Sequence, residues 1–526
     1  MQAVWPTIVL LIAGCGLGHA QVHILTGNGS NDRANANLQE SQLSPATVNP
    51  STFGKLGSLP VDGQVYAQPL FASGLSMPGN GLRNVVFVAT MNNSVYAFDA
   101  DLISPPTTYW HVKLGTPVPA AQVFGDYRDI YPDIGILSTG AIDLQRGVLY
   151  VVSEVIESGQ RVFYLHALDL TTGEERLNGP VALTASVTGS GSGALPDGTL
   201  PFDPVQHIQR PGLLLTNDAV HISLGSHADQ NPYHGWLLSY DAADLRRQVG
   251  VYTSTPDGNG GALWQSGRGP AADAEGNIYA ITGNGDNDGV RNLAQSFIRI
   301  SADRTLDAYT PPDWKSMSDS DFDISAGPAL IAGTHTVVGA DKLGNLYVIN
   351  GDELRGTDSA TVVAASSGSI FNFAIWNRDT SANIYVQGGK DPLKSFRVVD
   401  GVLNPIPIST AASSAPFVRI GMTVSANGGQ EDSGIVWEST GDYNDASAPG
   451  SLHAFDASNL ANELWSSDMY SNRDRLPPIA KFVAPTVANG KVYVASSANV
   501  VTVYGLLPQD DNGNPGEIDT FSLPRR

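Results

Sequence analysis

Apolar and polar positions alternate in short runs along most of the chain, a pattern typical of half-buried β-strands. Runs such as "KVYVAS" (491–496) are separated by segments rich in glycine, asparagine and aspartate, which favour turns. No long stretch has the 3.6-residue period of an amphipathic helix. The hydrophobic pattern therefore predicts an all-β protein.

A longer unit recurs along the chain. It consists of a strand of small residues, a turn, a hydrophobic strand, a second turn, and a strand that closes on Ala-x-Asp in its clearest copies. Eight copies lie at 84–101, 147–175, 235–245, 276–288, 344–352, 383–401, 450–467 and 490–506. From Pro69 in the first copy to Pro485 in the last, the spacing averages roughly 59 residues, which suits a four-stranded propeller blade. We predict a single eight-bladed β-propeller of four-stranded antiparallel blades.

The last copy ends after three strands, so a closed ring needs a fourth strand from elsewhere. "FGKLGSLPV" (53–61) can supply that strand from the N-terminal side, which would leave no free sheet edge. The predicted domain is then an eight-bladed propeller over residues 53–507. Residues 21–52 are predicted to form a strap along its side or bottom, and residues 508–526 a polar tail.

The segments "YAFDAD" (96–101), "HALDLTTGEE" (166–175) and "AFDASNLANELW" (454–465) resemble the repeat of the quinoprotein, or pyrroloquinoline-quinone-like, β-propellers. In that family an A-x-D-x-x-T-G-x-x-x-W segment ends each blade, and its tryptophan packs between blades. The resemblance implies that Trp110 and Trp465 dock in this way. Leu177 takes the tryptophan's place in the repeat that contains Asp169, so inter-blade packing is expected to vary around the ring.

The same resemblance implies two functions. One is a dehydrogenase that uses pyrroloquinoline quinone (PQQ) and calcium, and the other is a non-catalytic scaffold similar to the outer-membrane assembly propeller. The vicinal cysteine pair of the alcohol dehydrogenases of this type is missing, because Cys15 is the only cysteine in the chain. A haem-binding C-x-x-C-H motif is also missing. The cofactor is therefore left open between none and PQQ with calcium.

Charge excludes some partners. The chain has 51 acidic and 29 basic residues, a formal net charge of -22, and no basic stripe that would attract nucleic acid. After residue 20, no apolar stretch approaches the 18 residues needed to span a bilayer. We expect a monomer with a small-molecule or glycan ligand, without a nucleic-acid partner or a transmembrane segment.

Residues 1–20 have the apolar stretch and the small final residues of a signal peptide, which predicts a secreted or periplasmic protein. Cleavage before Gln21 is the favoured interpretation. The sequence "IAGC", which ends at Cys15, resembles a bacterial lipoprotein box and leaves a lipid anchor as the alternative.

In a propeller, two sets of loops open on the usual binding face. They are the lead-in loop, which precedes a blade's first strand, and the 2–3 loop between its second and third strands. The 2–3 loop "SHADQNPYHGW" (226–236) supplies His227 and His234 as a candidate base and acid, because imidazoles titrate near neutral pH. Asp129 and Asp133, in the lead-in loop "YRDIYPDIGIL" (127–137), are candidate partners or cation ligands. The alternative for all four is a structural role in stiff or solvated loops.

Other loop residues suit ligand binding rather than catalysis. The candidates are a stacking pair and three donors of hydrogen bonds, namely Tyr233, Trp264, Gln265, Arg268 and Arg210. Trp264 has inter-blade packing as its alternative role. Asp321, Asp323 and Lys342 are assigned to loops of the same face. "TGNGDNDGVRN" (282–292) resembles an oxygen-rich calcium loop with Asp286 and Asp288 as ligands. The related "TGNGSNDR" (26–33) indicates that such a string can also be a simple turn.

The sequence contains no Ser/His/Asp signature, P-loop or zinc motif, so no reaction is predicted. The favoured hypothesis is an exported propeller that binds, and in one version processes, a polar, hydroxyl-rich, glycan-like ligand in its top-face funnel. The PQQ- and calcium-dependent dehydrogenase and the scaffold are the alternatives.

Overall fold

The computed structural model describes residues 21–125, 127–356, 359–378, 380–414, 419–443, 445 and 447–508. The predicted signal peptide with Cys15, and all but the first residue of the predicted tail, lie outside the described residues. Within them, eight antiparallel sheets form the blades of a β-propeller, which confirms the predicted fold class. No helix in this part of the chain is long and apolar enough to cross a membrane.

The first four blades follow one another along the chain. Blade 1 comprises Leu70–Met77, Gly81–Ala89, Ser94–Ile103 and Pro106–Lys113; blade 2 Ala141–Asp143, Val148–Glu157, Gln160–Asp169 and Val181–Ala182; blade 3 Leu214–Thr216, Ala219–Ser226, Trp236–Asp241 and Gln248–Thr253; blade 4 Ala271–Ala272, Ile278–Ile281, Phe297–Ile300 and Leu306–Tyr309.

The other four blades complete the ring, and blade 8 takes its fourth strand from the N-terminal part of the chain. Blade 5 comprises Ile324–Leu330, Thr336–Asp341, Asn345–Asn350 and Ala360–Ala364; blade 6 Ile370–Arg378, Ser381–Gly388 and Pro392–Val399, with Val402–Leu403 and Ser409–Ser414 both on its third strand; blade 7 Gly421–Ser425, Ile435–Thr440, Ser451–Asp456 and Glu463–Ser466; blade 8 Thr486–Ala488, Lys491–Ala495, Val500–Leu506 and Phe53–Pro60.

The structure also contains short helices, turns and strands besides the strands of the eight blades. The helices are Trp314–Asp319 and Ser471–Asp474, and Ala120–Gln122 and Gln265–Gly267 form single 3₁₀ turns. In the described part of the chain, four small strands lie outside the blades, namely Val118–Pro119, Asp133–Ile134, Ser186–Thr188 and Thr199–Pro201. Three others pair with a blade: His23–Ile24 with blade 1, His207–Ile208 with blade 3 and Ala36–Asn37 with blade 7.

The apolar core lies between the blades. Eight clusters of buried side chains each join residues of two neighbouring blades, so that every interface in the ring has its own core. Trp110 lies at one of these interfaces, where its indole N–H donates to Leu170 O of blade 2 at 3.0 Å. Trp465 of blade 7 packs edge-on against Tyr504 of blade 8, with ring centroids 5.4 Å apart.

The ring is closed by the predicted N-terminal strand. Phe53–Pro60 pairs antiparallel with Val500–Leu506 and so completes blade 8. The side chain of Phe53 is fully buried, and its ring centroid lies 5.3 Å from that of Trp437 and 4.9 Å from that of Trp465. Main-chain pairing and an aromatic cluster therefore join the strand that precedes blade 1 to the last strand of the described chain.

The segment predicted as a strap runs across the channel. Residues 23–37 pass the blades in order, and each blade is contacted at or beside its first strand. The contacts are His23 with Ala72, Leu25 with Ile142, Thr26 with Leu213, Asn31 with Ala272, Asp32 with Leu330, Ala34 with Ile375, Asn35 with Val424 and Asn37 with Val487. The strap therefore closes the channel beneath the lead-in loops, and the upper opening becomes a blind funnel.

Candidate functional site

A pocket of 310 Å³ opens at the top of the channel, and we call it the funnel pocket. Most of its walls come from lead-in loops, which converge because every first strand lines the same channel. The charged and aromatic lining residues are Asp129, Arg210, Asp229, Trp264, Asp321, Asp323, Lys342, Phe371, Arg419 and Phe482. The pocket thus combines flat apolar surfaces with charges of both signs.

One wall is rich in cations around Asp129. Arg210 Nη2 donates to Asp129 Oδ2 at 2.7 Å, Arg419 Nη1 lies 3.5 Å from Oδ1, and Lys481 Nζ donates to Oδ1 and to the main-chain oxygen. Burial alone would raise the pKa of the Asp129 carboxyl, but these three cations hold it below its usual range. Burial, with Arg210 alongside, lowers the pKa of Lys481 to about 7. Asp129 therefore stays ionised, and its ion pair with Lys481 opposes the effect of burial on the lysine.

The opposite wall carries a tryptophan and two acids. Trp264 Nε1 donates to Asp323 Oδ2 at 2.7 Å. Lys342 Nζ lies 2.6 Å from Asp321 Oδ1 and 2.5 Å from Asp323 Oδ1. Burial raises the pKa of Asp323 to about 6, against the lowering effect of Lys342. Since its N–H is held by Asp323, the indole of Trp264 has a fixed orientation at the pocket.

Three predicted site residues meet in the funnel pocket: Asp129, Arg210 and Trp264. Asp321, Asp323 and Lys342 join them from the loops assigned to this face. Four further residues at this wall, Phe371, Arg419, Lys481 and Phe482, were not among the predicted site residues. A signal was present, because all four stand at or just before the opening segments of blades 6, 7 and 8, where the lead-in rule applies as it does in the earlier blades.

His227 is buried beside the loop that carries Asp129. Its Nε2 accepts from Arg161 Nη1 at 3.1 Å, and its ring packs edge-on against Tyr127 at 5.5 Å. Burial, followed by repulsion from Arg161, lowers the pKa of His227 to about 3. The side chain is therefore neutral and does not line the funnel pocket.

His234 is also buried, and it links the 2–3 loop of blade 3 to its neighbours. Its ring nitrogens lie 2.9 Å from Thr255 Oγ1 and 2.8 Å from the main-chain oxygen of Ser192. Burial lowers its pKa. These contacts account for both histidines of "SHADQNPYHGW" as residues that fix a long loop, and the catalytic role assigned to them stays a prediction without support from the geometry.

A buried acid next to His227 yields a pH-dependent prediction. Glu154 is 1% exposed, and its Oε1 lies 3.6 Å from Arg161 Nη1. Burial raises the pKa of the Glu154 carboxyl to about 8, against the lowering effect of Arg161. The folded state therefore keeps a proton that the unfolded chain has already released, and the protein loses stability as the pH rises toward 8.

Glu154→Gln is expected to remove this loss, because glutamine has no proton to release. Thermal unfolding measured from pH 5 to pH 8 should give a midpoint difference, variant minus wild type, that grows with pH. Glu157→Gln, on the exposed end of the same strand, is the matched control and should give a difference that does not change. A constant difference for Glu154→Gln would contradict the assigned pKa.

Arg268 and Gln265 lie below the pocket rather than in it. Arg268 is 1% exposed and donates to Asn372 Oδ1 at 2.9 Å, to Phe373 O at 3.0 Å and to Arg33 O. Gln265 Nε2 donates to Arg268 O at 3.0 Å. Both side chains therefore form hydrogen bonds within the channel interior, and neither lines the funnel pocket.

Tyr233 and Asp133 also lie away from the funnel pocket. Tyr233 is 3% exposed, and its hydroxyl donates to Asn284 O at 3.4 Å. Asp133 forms a two-residue strand pair with Pro119 in the long lead-in loop of blade 2. Both residues therefore contribute to local structure, and neither lines the pocket.

The candidate calcium loop closes a turn. Asp286 Oδ2 accepts from the Asn259 main-chain N–H at 2.9 Å, and Asp288 Oδ1 accepts from three main-chain N–H groups of residues 290–292. Among the described residues, no group of three or more His, Cys, Asp or Glu side chains is placed to hold a metal ion. The carboxylates already have donors, so these contacts do not support calcium binding.

Comparisons with known proteins concern the fold. No family model and no curated protein sequence matches this chain. Among solved structures, BamB from Moraxella catarrhalis is similar with 14% identity and a TM-score of 0.48, covering 86% of this chain and 97% of that one. A europium-containing methanol dehydrogenase is similar with 13% identity and a TM-score of 0.47, covering 90% and 81%.

The chain forms an eight-bladed β-propeller, as the repeats predicted. At these identities the similarity extends to the fold alone, so function has to be argued from the funnel pocket itself.

Proposed function

We propose that this propeller binds a small, hydroxyl-rich ligand of sugar size in the funnel pocket. The observation that supports it is the placement of Trp264 at a pocket of 310 Å³ whose walls carry charged hydrogen-bonding groups on both sides. Ligand sites combine an apolar surface with a few convergent polar groups in this way. The indole offers a flat face, and the apolar face of a sugar ring can stack on it.

The charged groups match the chemistry of hydroxyls, which both donate and accept hydrogen bonds. Asp321 accepts from the ligand on one side of the pocket, and the guanidinium groups of Arg210 and Arg419 donate on the other. Hydrogen bonds to charged groups are stronger than those between neutral groups. A ligand with several hydroxyls therefore gains more in this pocket than an apolar molecule of the same size.

A calcium-bound quinone does not fit these residues. Asp321 and Asp323 are two pocket acids that could bind a cation together, but their carboxylates already hold the ammonium of Lys342. No metal-holding group of three acids or histidines is found in the part of the chain that the structure describes. We therefore derive no reaction step through PQQ.

The proposal predicts that Trp264→Ala lowers affinity for a bound sugar at least about tenfold, which corresponds to roughly 1.4 kcal/mol of lost stacking. Trp264→Phe should retain part of that affinity, because a flat ring remains. Tyr470→Ala removes an aromatic ring that is 51% exposed and does not line the pocket, so it serves as the control. Isothermal titration calorimetry measures the sugar affinity of the wild type and of the three variants.

A thermal-shift screen comes first and includes neutral sugars, sugar acids, and PQQ with and without calcium. Stabilisation by a sugar that is lost in Trp264→Ala supports the proposal. Stabilisation by PQQ alone would favour the dehydrogenase, and a flat response to every compound would favour the scaffold. Either result contradicts the proposed function. Secretion, the monomeric state and the glycan nature of the ligand stay predictions.

A further inference from the structure

The part of the funnel wall around Asp129 carries more cations than anions, although the whole chain is negative. The formal net charge of the protein is -22, yet three cations share the single carboxylate of Asp129 at the funnel wall. Arg210 and Lys481 are buried there, with 8% and 4% of their surface exposed. Burial weakens screening by water, so these charges act strongly on a ligand.

Two more guanidinium groups lie below the funnel pocket. Arg33 and Arg268 are fully buried, and their hydrogen bonds go to neutral oxygens, such as Pro270 O and Asn372 Oδ1. In the described residues neither forms a salt bridge with a carboxylate. The floor of the channel therefore adds positive charge beneath the cation-rich wall, and a low-dielectric cleft of this kind concentrates its potential at the opening.

The cations and the stacking surface are close enough for one ligand to touch both. The ring of Phe482 lies 6.1 Å from the ring of Trp264, and the guanidinium carbons of Arg210 and Arg419 lie 5.3 Å and 5.7 Å from the centre of the Phe482 ring. The arginines and Trp264 thus flank a single phenyl ring. A substituent on a sugar stacked against Trp264 can reach the arginines.

We propose that the ligand is a sugar acid, whose ring stacks on Trp264 and whose carboxylate binds Arg210 and Arg419. This inference rests on the proposed function and specifies its ligand class. A guanidinium donates two parallel hydrogen bonds to a carboxylate, which favours this anion over a hydroxyl. On the far wall, Asp321 is placed to accept from the ring hydroxyls and to repel a second anionic group.

The experiment compares matched ligands by isothermal titration calorimetry. D-glucuronate and D-galacturonate differ from D-glucose and D-galactose only at the carbon that carries the carboxylate. At least one acid should bind about tenfold or more tightly than its neutral counterpart, and its affinity should fall at high salt. The neutral sugar's affinity should not depend on salt.

A charge-removing variant locates the effect. Arg419→Gln should lower the affinity for the acid about tenfold and that for the neutral sugar clearly less, because the carboxylate loses a charged partner as well as a hydrogen bond. Arg475→Gln, which removes an exposed arginine outside the pocket, should change neither. Thermal unfolding confirms that both variants are folded, and the salt series on wild type tests the inference independently of any variant.

The outcomes separate this inference from the proposed function. Equal affinity for acid and neutral sugar, together with an equal loss of both in Arg419→Gln, would overturn the inference while the proposed function stands. Tighter binding of glucose 6-phosphate than of either uronate would overturn the carboxylate in favour of a phosphate. Absence of binding by every sugar and sugar acid would overturn the proposed function itself.

Discussion

Arg33→Met is expected to lower the free energy of unfolding by about 3–5 kcal/mol, because it leaves several buried acceptors without donors. The guanidinium donates to Pro270 O at 2.7 Å, Thr26 Oγ1 at 2.8 Å, Gly27 O at 2.6 Å and Leu213 O at 2.9 Å. Methionine keeps an unbranched apolar stem but supplies none of these hydrogen bonds. One side chain thus joins the strap to blades 3 and 4.

Denaturant unfolding followed by tryptophan fluorescence measures this loss. The matched control is Arg246→Met, since the side chain of Arg246 is 65% exposed and its partner is Asp244 on the surface. We expect the control to change stability by less than about 0.5 kcal/mol. Equal stability of Arg33→Met and wild type would mean that the strap does not depend on this buried charge.

Phe53→Ala is expected to cost about 3–5 kcal/mol, because it opens a cavity in the aromatic cluster that joins the closing strand to blade 7. The ring is fully buried between Trp437 and Trp465. Loss of this anchor weakens the pairing of Phe53–Pro60 with Val500–Leu506, which closes the ring. The variant should therefore also expose the edge of blade 8 and aggregate more readily.

Leu56→Ala is the control, because Leu56 lies on the same strand but is only partly buried. Thermal unfolding should give a large drop in midpoint for Phe53→Ala and a clearly smaller one for Leu56→Ala. Similar drops in both variants would contradict an anchor at Phe53. Light scattering at constant temperature measures the aggregation that ring opening predicts.

The fold could be predicted because it repeats. Eight copies of one pattern defined the blade, and the missing fourth strand of the last copy led to Phe53–Pro60. The strap was harder, because "TGNGSNDR" (26–33) reads locally as a turn. Its course depends on main-chain hydrogen bonds to first strands that are distant in sequence, such as Leu330 N–H to Asp32 O at 2.7 Å. Main-chain hydrogen bonds of this kind do not depend on residue type, so the sequence does not predict them.

The candidate site was only partly predictable for a related reason. Residue type suggested His227 and His234, but burial decides their role, and burial depends on the neighbours that the fold supplies. Arg268 was expected in the funnel and instead donates to main-chain oxygens below it. Lys481 was not predicted as a site residue, because a single lysine in "AKFVAP" (480–485) gives no sign of a site. Its role depends on its contact with Asp129, which lies 352 residues earlier in the chain.

The central claim, that the ligand lies against Trp264 in the funnel pocket and does not contact His227 or His234, is tested most directly by a crystal structure with a bound uronate. We predict the sugar ring against Trp264 and its carboxylate within hydrogen-bonding distance of Arg210 and Arg419. A uronate in contact with His227 or His234, or a funnel without sugar at saturating concentration, would contradict the account.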